Sequence, residues 1–166
     1  MKQQGVTLIQ LVAALALLML LTQLGLPAYN AMSQDLLRQA LAEQLAQTLR
    51  SARSEALLRN QVVSVEARAG NWSSGWRVLL EAHGGELLHE VALHGQVPIV
   101  GNQPVARQVR FSGLGVAVQA GGAFQAGTLH VCQGPGRSVY QVVLARTGRV
   151  SLRQASSAQA LCGSDQ

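Results

Sequence analysis

The distribution of apolar and polar residues divides the chain into three stretches, and the first is almost uniformly apolar. It runs for 21 residues from Val6 to Leu26 without a charge, and its polar members are Thr7, Gln10, Thr22 and Gln23. A helix rises about 1.5 Å per residue, so a run of this length spans the ~30 Å hydrocarbon core of a bilayer. The run exceeds the apolar part of a secretory signal, and no A-x-A cleavage site follows it. We therefore expect a retained membrane anchor, with a buried core helix as the alternative.

The second stretch is amphipathic. Between Tyr29 and Asn60 apolar residues recur every three or four positions, which predicts a helix with one buried stripe. The apolar positions are Leu37, Leu41, Leu45, Leu49 and Ala52, and the opposite face carries Arg38, Glu43, Gln47, Arg50 and Arg53. We expect the transmembrane segment 6–27 and the amphipathic segment 28–60 to form one helix of about 55 residues. Pro27 should kink or locally unwind this helix, because proline removes a backbone donor and clashes with the preceding turn.

In the third stretch the pattern changes to short runs rich in valine and leucine, each bounded by Gly, Asn, Pro or Ser. The runs are VVSVEAR, GWRVLLE, ELLHEVAL, RQVRF, GVAV, TLHVCQ, SVYQVVLA and RVSLR. They predict an antiparallel β domain of seven or eight short strands over residues 61–153, and hence an α+β fold. One helix covers only one face of such a sheet, so two sheets or one curled sheet are expected. Residues 154–166 are predicted to form a C-terminal tail.

Charge is unevenly distributed along the chain. From Ala28 to Glu90, six arginines and seven acidic residues give a net charge of −1, whereas from Val91 to Gln166 six arginines face only Asp165, giving +5. A positive field of this kind attracts polyanions such as nucleic acid, acidic lipid or acidic protein. The alternative is an ordinary solvated surface.

The two cysteines, Cys132 and Cys162, both lie in the basic half. Lys2, before the apolar run, favours a cytoplasmic N-terminus and a periplasmic location for the rest of the chain. An oxidising compartment favours a disulfide, which would close a loop of about 30 residues and hold the tail, stabilising the fold by roughly 3–4 kcal/mol. Two unpaired thiols are the alternative.

Patterns typical of enzymes and metal sites are missing from the sequence. The four histidines, at positions 83, 89, 94 and 130, are scattered, and we expect them at the surface. No Ser–His–Asp arrangement can be argued, and the glycine-rich GLGVAVQAGG lacks the context of a nucleotide-binding loop. Trp72 and Trp76 are expected to fill the core beneath the helix rather than to stack on a ligand. Neither enzymatic activity nor a cofactor or metal is predicted.

The N-terminus resembles the class III signal of type IV pilins and pseudopilins. The family pattern is G-F-T-L-I-E before an apolar run, and here GVTLIQ stands in its place. The resemblance implies that residues 1–5 are a leader, that prepilin peptidase cleaves after Gly5, and that Val6 is then N-methylated. It also implies that the helix, including Pro27, packs against other major and minor pilins. Gln10 replaces the family glutamate that pairs with a neighbouring N-terminus, which suggests a position at or near the filament tip or, alternatively, a tolerated substitution.

A second motif narrows the resemblance. The stretch RSARSEALLRNQVV followed by NWSSGWRVLLE is similar to the A-R-S-E-A…R-N…W…G-W signature of the FimT/GspH-like group. This group comprises minor pilins of type IV pili and minor pseudopilins of type II secretion. The resemblance covers residues 1–80 and implies a pilin-like fold with a long N-terminal helix packed on the β domain.

FimT-type proteins carry a C-terminal Gly-Arg-x-Arg motif implicated in DNA uptake, and ARTGRVSLRQ resembles it. Gly148 and Arg149 match the motif, while the second arginine is displaced to Arg153. Residues 149 and 153 should face the same side of a strand about 13 Å apart, where they can contact separate phosphates. Arg146 and Arg137 could extend the patch. An edge strand protected by charge is the alternative.

The sequence thus predicts a single-pass inner-membrane protein with a periplasmic head that is assembled into an extracellular pilus. The expected function is that of a minor type IV pilin, most like FimT, which binds DNA without sequence preference during natural transformation. The alternative is a GspH-like minor pseudopilin of type II secretion that makes protein contacts at the pseudopilus tip. A membrane-tethered periplasmic enzyme is a third hypothesis.

Overall fold

The computed structural model describes residues 8–163; residues 1–7 and 164–166, including the leader and the cleavage positions Gly5 and Val6, lie outside the description. One helix, α1, spans Leu8–Arg59. The chain divides into two compact units, Met1–Leu37 and Arg38–Gln166. In the first unit, the apolar side chains of α1 that the structure describes are all exposed. By length and composition alone, α1 could cross a membrane, with a mean hydropathy of 2.1 in its most apolar window.

The structure shows no local unwinding at Pro27. Pro27 lies inside α1, and the helix is assigned without interruption from Leu8 to Arg59. Local unwinding at this position is therefore a wrong prediction. Proline removes only one backbone hydrogen bond, and a helix of 52 residues retains enough others on either side to stay helical.

The second unit is built on the C-terminal part of α1. Small and large apolar side chains alternate along the buried stripe, which comprises Ala42, Leu45, Ala46, Leu49, Ala52 and Ala56. The alanines let the helix approach the sheets closely, and the leucines fill the space between them. The helix ends as predicted at Asn60, whose φ of 49° is the left-handed conformation common after a helix C-terminus.

Within residues 8–163, eight strands follow the helix in two four-stranded antiparallel sheets. Their bounds are β1 Val63–Ala67, β2 Gly75–Leu80, β3 Glu86–Ala92, β4 Ile99–Gly101, β5 Gln108–Phe111, β6 Gly127–Cys132, β7 Arg137–Leu144 and β8 Val150–Ala158. Sheet A has the order β3-β2-β1-β5 and sheet B the order β4-β6-β7-β8. The predicted α+β fold with two sheets is thereby confirmed.

The core lies beneath the helix and includes both tryptophans, as expected. Trp76 is fully buried, and its indole Nε1 donates to Thr48 Oγ1 of α1 at 3.2 Å. Trp72 is 1% exposed and donates to the carbonyl oxygens of Val105 and Ala106. Each indole therefore contributes apolar volume while its single donor is satisfied inside the domain.

Two strands differ from the prediction. GVAV forms isolated bridges, Phe111 to Ala117 and Val118 to Phe124, rather than a strand of its own. Strand β4, with three residues, is too short to produce a recognisable alternating pattern.

The C-terminal segment is more ordered than a tail. Strand β8 continues to Ala158, five residues beyond the predicted end of the β domain, and a short 3-10 turn covers Ala160–Gly163. The disulfide between Cys132 and Cys162 closes this segment onto the end of β6, with 5.8 Å between the two Cα atoms.

Candidate nucleic-acid interface

The arginines of the predicted DNA-binding motif lie on the β7–β8 hairpin. The turn is closed by bonds from Ala145 N to the carbonyl of Arg149 and from Gly148 N to that of Ala145, both 2.9 Å. Arg146 and Arg149 are exposed in this turn, and Arg153 is exposed on β8. Val150 between them is buried, so the alternation along β8 directs Arg149 and Arg153 away from the core.

Arg137 lies at the opposite end of the hairpin from Arg146 and Arg149. In the register of the hairpin, Leu144 pairs with Val150 at the turn, while Arg137 pairs with Ala158 at the opposite end. Seven residue steps of β7 separate the two ends, or about 23 Å at ~3.3 Å per residue. Arg153 pairs with Gln141, so it lies between the two ends, four residue steps from the level of Arg137. We refer to the three arginines at and near the turn, Arg146, Arg149 and Arg153, as the hairpin arginines.

Gly148, the glycine of the predicted motif, has a structural role. Its φ is +77°, and a Cβ at this position would lie 2.0 Å from the carbonyl oxygen of Gly115 and 3.0 Å from Nε of Arg53. Arg53, on α1, donates from Nε to the Gly115 carbonyl at 2.8 Å and from Nη2 to the Thr147 carbonyl at 3.2 Å. Gly148 is thus the point where the hairpin turn, the 112–116 loop and the helix meet. We refer to this contact between Arg53, Gly115, Thr147 and Gly148 as the turn clamp.

Around the hairpin arginines the charge is uncompensated. Ion pairs join Arg59 to Glu55, Arg68 to Glu90 and Arg110 to Glu81. None of them involves sheet B, and the sequence from Val91 to Gly163 contains no Asp or Glu. Hydrogen bonding to Glu81 raises the pKa of Arg110, whereas the hairpin arginines have no carboxylate nearby in sequence or in their own sheet. The exposed turn therefore presents a local positive field.

His130 departs from the expectation of a surface role. It is buried on β6, with Nδ1 3.1 Å from Ser138 Oγ and Nε2 3.1 Å from Nε2 of Gln159. Ser138 Oγ in turn donates to the carbonyl of Tyr140. This chain fits a neutral imidazole that donates from Nδ1 and accepts from Gln159, and burial lowers the pKa of His130. The expectation is wrong because His130 is covered by the ordered C-terminal segment, which was predicted to be a tail.

Part of the chain that includes the hairpin turn matches a known protein family. Residues 41–148, more than half of the chain, match the family described as "Type II transport protein GspH". The chain belongs to the GspH family. The match ends at Gly148, so Arg149 and Arg153 lie beyond it. No significant match is found among curated proteins.

Solved structures show the same fold. Two crystal forms of the type IV minor pilin FimU from Pseudomonas aeruginosa PAO1 superpose on this GspH-family chain with TM-scores of 0.60 and 0.63. The sequences are 24% and 22% identical, and the alignments cover 75% and 79% of this chain and 98% of each FimU chain. The predicted resemblance to the FimT/GspH-like group and its pilin-like fold is confirmed.

The signature by which the GspH family was recognised consists mainly of structural residues. Ala52 and Ala56 pack in the core, and Arg53 forms the turn clamp. Gly75 has φ +112°, and a Cβ there would lie 2.0 Å from the carbonyl of Val91. The sequence identifies Arg53 and Gly148 as members of two motifs, but it does not predict that they are in contact. About 95 residues separate them, and a contact between such distant positions produces no periodic pattern in the sequence.

Proposed function

We propose that this GspH-family chain is a minor type IV pilin that is processed between Gly5 and Val6, methylated at Val6 and incorporated at or near the filament tip. The observation that carries the proposal is the first part of α1, residues 8–37, in which large apolar side chains such as Leu8, Leu21 and Leu26 are more than half exposed. A continuous apolar surface of this size is unstable in water. A bilayer before assembly and the helices of other pilins after assembly would cover it.

Gln10 supports the tip position within this proposal. A buried carboxylate is costly unless it is paired, and an amide avoids that cost at a position with no neighbouring amine. The variant Gln10→Glu should then enter filaments less efficiently than the wild type, as judged by the ratio of this chain to the major pilin in sheared filaments. Unchanged incorporation of Gln10→Glu would remove the tip argument.

We further propose that the hairpin arginines bind DNA without sequence preference. Arg146, Arg149 and Arg153 are exposed, the strands of their own sheet contain no carboxylate, and Arg149 and Arg153 have the spacing of separate phosphate contacts along a nucleic-acid backbone. Arginine suits this role because its planar guanidinium donates in pairs to phosphate oxygens. Gly148 supports the turn, and Arg137 lies at the far end of the hairpin, about 13 Å along the strand from the level of Arg153.

The test uses the soluble fragment from Arg38 to Gln166. Every buried core residue of the described chain lies between Ala42 and Val150, so the fragment retains the whole core. Fluorescence anisotropy with a random duplex would compare the wild type with Arg149→Gln/Arg153→Gln over a range of salt concentrations. Losing two phosphate contacts should reduce the slope of log K against log salt by about 2 and weaken binding at low salt at least about tenfold.

A matched control separates position from net charge. Arg59→Gln/Arg68→Gln also removes two positive charges, and both of these arginines are exposed members of ion pairs away from the hairpin. It should change the affinity only slightly. Equal losses in the two double variants would mean that DNA responds only to net charge, and the hairpin site would be rejected.

A second candidate function is favoured by the description of the family itself, which names a type II transport protein. As a minor pseudopilin of type II secretion, this chain would make protein contacts at a pseudopilus tip. Deletion of the gene would then abolish protein secretion and leave both pilus assembly and DNA uptake intact. Loss of transformation with normal secretion would favour the pilin assignment.

A further inference from the structure

A polar pocket of about 650 Å³ lies where the two sheets come together at β4 and β5. These strands are each an edge of their sheet, and the helix flanks the other two edges, β3 and β8. No residue of α1 lines this pocket, whereas grooves at the β3 and β8 edges are lined by α1 residues such as Gln47. Packing of neighbouring helices against α1 would therefore leave the pocket open to solvent.

The wall of the pocket is a loop whose carbonyl groups are already used. Five consecutive carbonyl oxygens, from residue 104 to residue 108, accept hydrogen bonds from within the domain. The indole N–H of Trp72 donates to the carbonyls of residues 105 and 106, and the side-chain amide of Gln125 donates to those of residues 104 and 108. The backbone N–H of Ala67 donates to the carbonyl of residue 107. Each of these carbonyl oxygens therefore already has a hydrogen-bond partner within the domain, and the loop is held in place.

The buried side chain of Gln125 fixes this loop by hydrogen bonds. It is 2% exposed, its Nε2 donates to the carbonyls of Pro104 and Gln108 at 2.6 and 2.8 Å, and its Oε1 accepts from the backbone N of Arg110 at 3.0 Å. A buried amide with donors and acceptor all satisfied rigidifies its surroundings. The pocket is consequently organised before any ligand arrives, which reduces the entropic cost of binding.

The polar side chains that line the pocket are one guanidinium group and several carboxamides, beside small and aliphatic residues. Arg107 is the one charged residue among the described residues that line it, and it forms no ion pair within residues 8–163. Gln103, Gln108 and Gln119 contribute carboxamides. A lone guanidinium without a carboxylate favours an anionic group, and carboxamides match hydroxyl groups because they both donate and accept.

We propose that this pocket binds an acidic saccharide unit, with Arg107 pairing with the carboxylate and the glutamine amides hydrogen-bonding the hydroxyl groups. The volume is within the range of small-ligand sites. A nucleobase would need an aromatic platform, and the one aromatic ring among the described lining residues, Trp72, is 1% exposed. An apolar ligand would meet mostly polar groups. None of the described residues that line this pocket belongs to the β7–β8 hairpin.

The test is isothermal titration calorimetry of the Arg38–Gln166 fragment with trigalacturonate and trimannuronate, and with neutral maltotriose as the uncharged comparison. At least one uronate should bind about tenfold or more tightly than maltotriose, as expected when a charge-assisted hydrogen bond is added. Arg107→Gln, a change at an exposed position, should remove that preference. Gln103→Ala should weaken uronate binding a few-fold. Arg68→Gln, a control at an exposed arginine paired with Glu90, should leave binding unchanged.

Three results would overturn the proposal. Failure of both uronates to bind would exclude an acidic saccharide. Retention of the uronate preference in Arg107→Gln would show that the carboxylate is recognised elsewhere. Binding of inorganic phosphate at Arg107 as tight as that of the uronates would assign the site to a simple oxyanion.

Discussion

Replacing Gly148 with alanine tests whether this motif residue supports the fold or contacts a ligand. Two separate effects act on the variant. Alanine at φ +77° is in the left-handed region, and its Cβ would overlap the Gly115 carbonyl oxygen at 2.0 Å. The backbone must move to relieve the overlap, and this movement breaks the two hydrogen bonds that Arg53 donates in the turn clamp.

The left-handed conformation alone costs an L residue about 1 kcal/mol. Forcing the hairpin turn away from the 112–116 loop adds about 1 kcal/mol or more of strain. Each hydrogen bond to the charged guanidinium of Arg53 contributes about 1.5 kcal/mol or more when it is lost. Gly148→Ala should therefore lower the free energy of unfolding by about 5 kcal/mol, a large share of the 5–15 kcal/mol typical of a domain.

Gly122→Ala is a matched control. Gly122 has φ +83° and a turn hydrogen bond to Gln119, as Gly148 has to Ala145, but nothing lies within 4 Å of its Cβ position. It should lose only about 1 kcal/mol. Urea unfolding of the Arg38–Gln166 fragment, followed by circular dichroism, measures both losses. Equal destabilisation of the two variants would refute the turn clamp as the reason for glycine at position 148.

Three further predictions concern the core, the histidine and the disulfide. Thr48→Val leaves the buried indole N–H of Trp76 without its partner and should lower the free energy of unfolding by about 1–3 kcal/mol, while Thr48→Ser should keep most of the stability in the same urea titration. Because burial lowers the pKa of His130, the imidazole takes up a proton at a higher pH in the unfolded chain than in the folded chain. The free energy of unfolding should therefore be greatest above pH 6.5 and fall as the pH drops below that value. The midpoint of urea unfolding should decline from pH 7.5 to 5 in the wild type, and this decline should be smaller in His130→Gln. Replacing both Cys132 and Cys162 with alanine opens a loop of 30 residues and should lower thermal stability by the equivalent of about 3–4 kcal/mol, and an unchanged melting temperature would show that the disulfide does not constrain the unfolded chain.

Most of the architecture follows from local patterns in the sequence. The helix is predictable because its apolar stripe repeats over many turns, and Asn60 marks its end. Long strands such as β7 are predictable for the same reason. Strand β4 is not, because three residues carry no period, and the last part of β8 has the composition of a tail but is held by pairing with β7 and by the disulfide.

The candidate sites depend more on long-range contacts. The direction of Arg149 and Arg153 follows from strand alternation, and the structure agrees with it. The distance of Arg137 from them depends on the register of the hairpin, which the sequence did not specify. The sequence does not identify Arg107 as a candidate binding residue. The pocket that Arg107 lines depends on hydrogen bonds from Trp72 and Gln125 to a loop that is distant from them in sequence.

The central claim is that this chain is processed and assembled as a pilin subunit, and its mature N-terminus tests that claim most directly. Mass spectrometry of the N-terminal peptide, from protein purified out of membranes and sheared filaments of the native host, should show N-methylated Val6 as the first residue. A mature chain that begins at Met1, or at any residue other than Val6, would contradict the account.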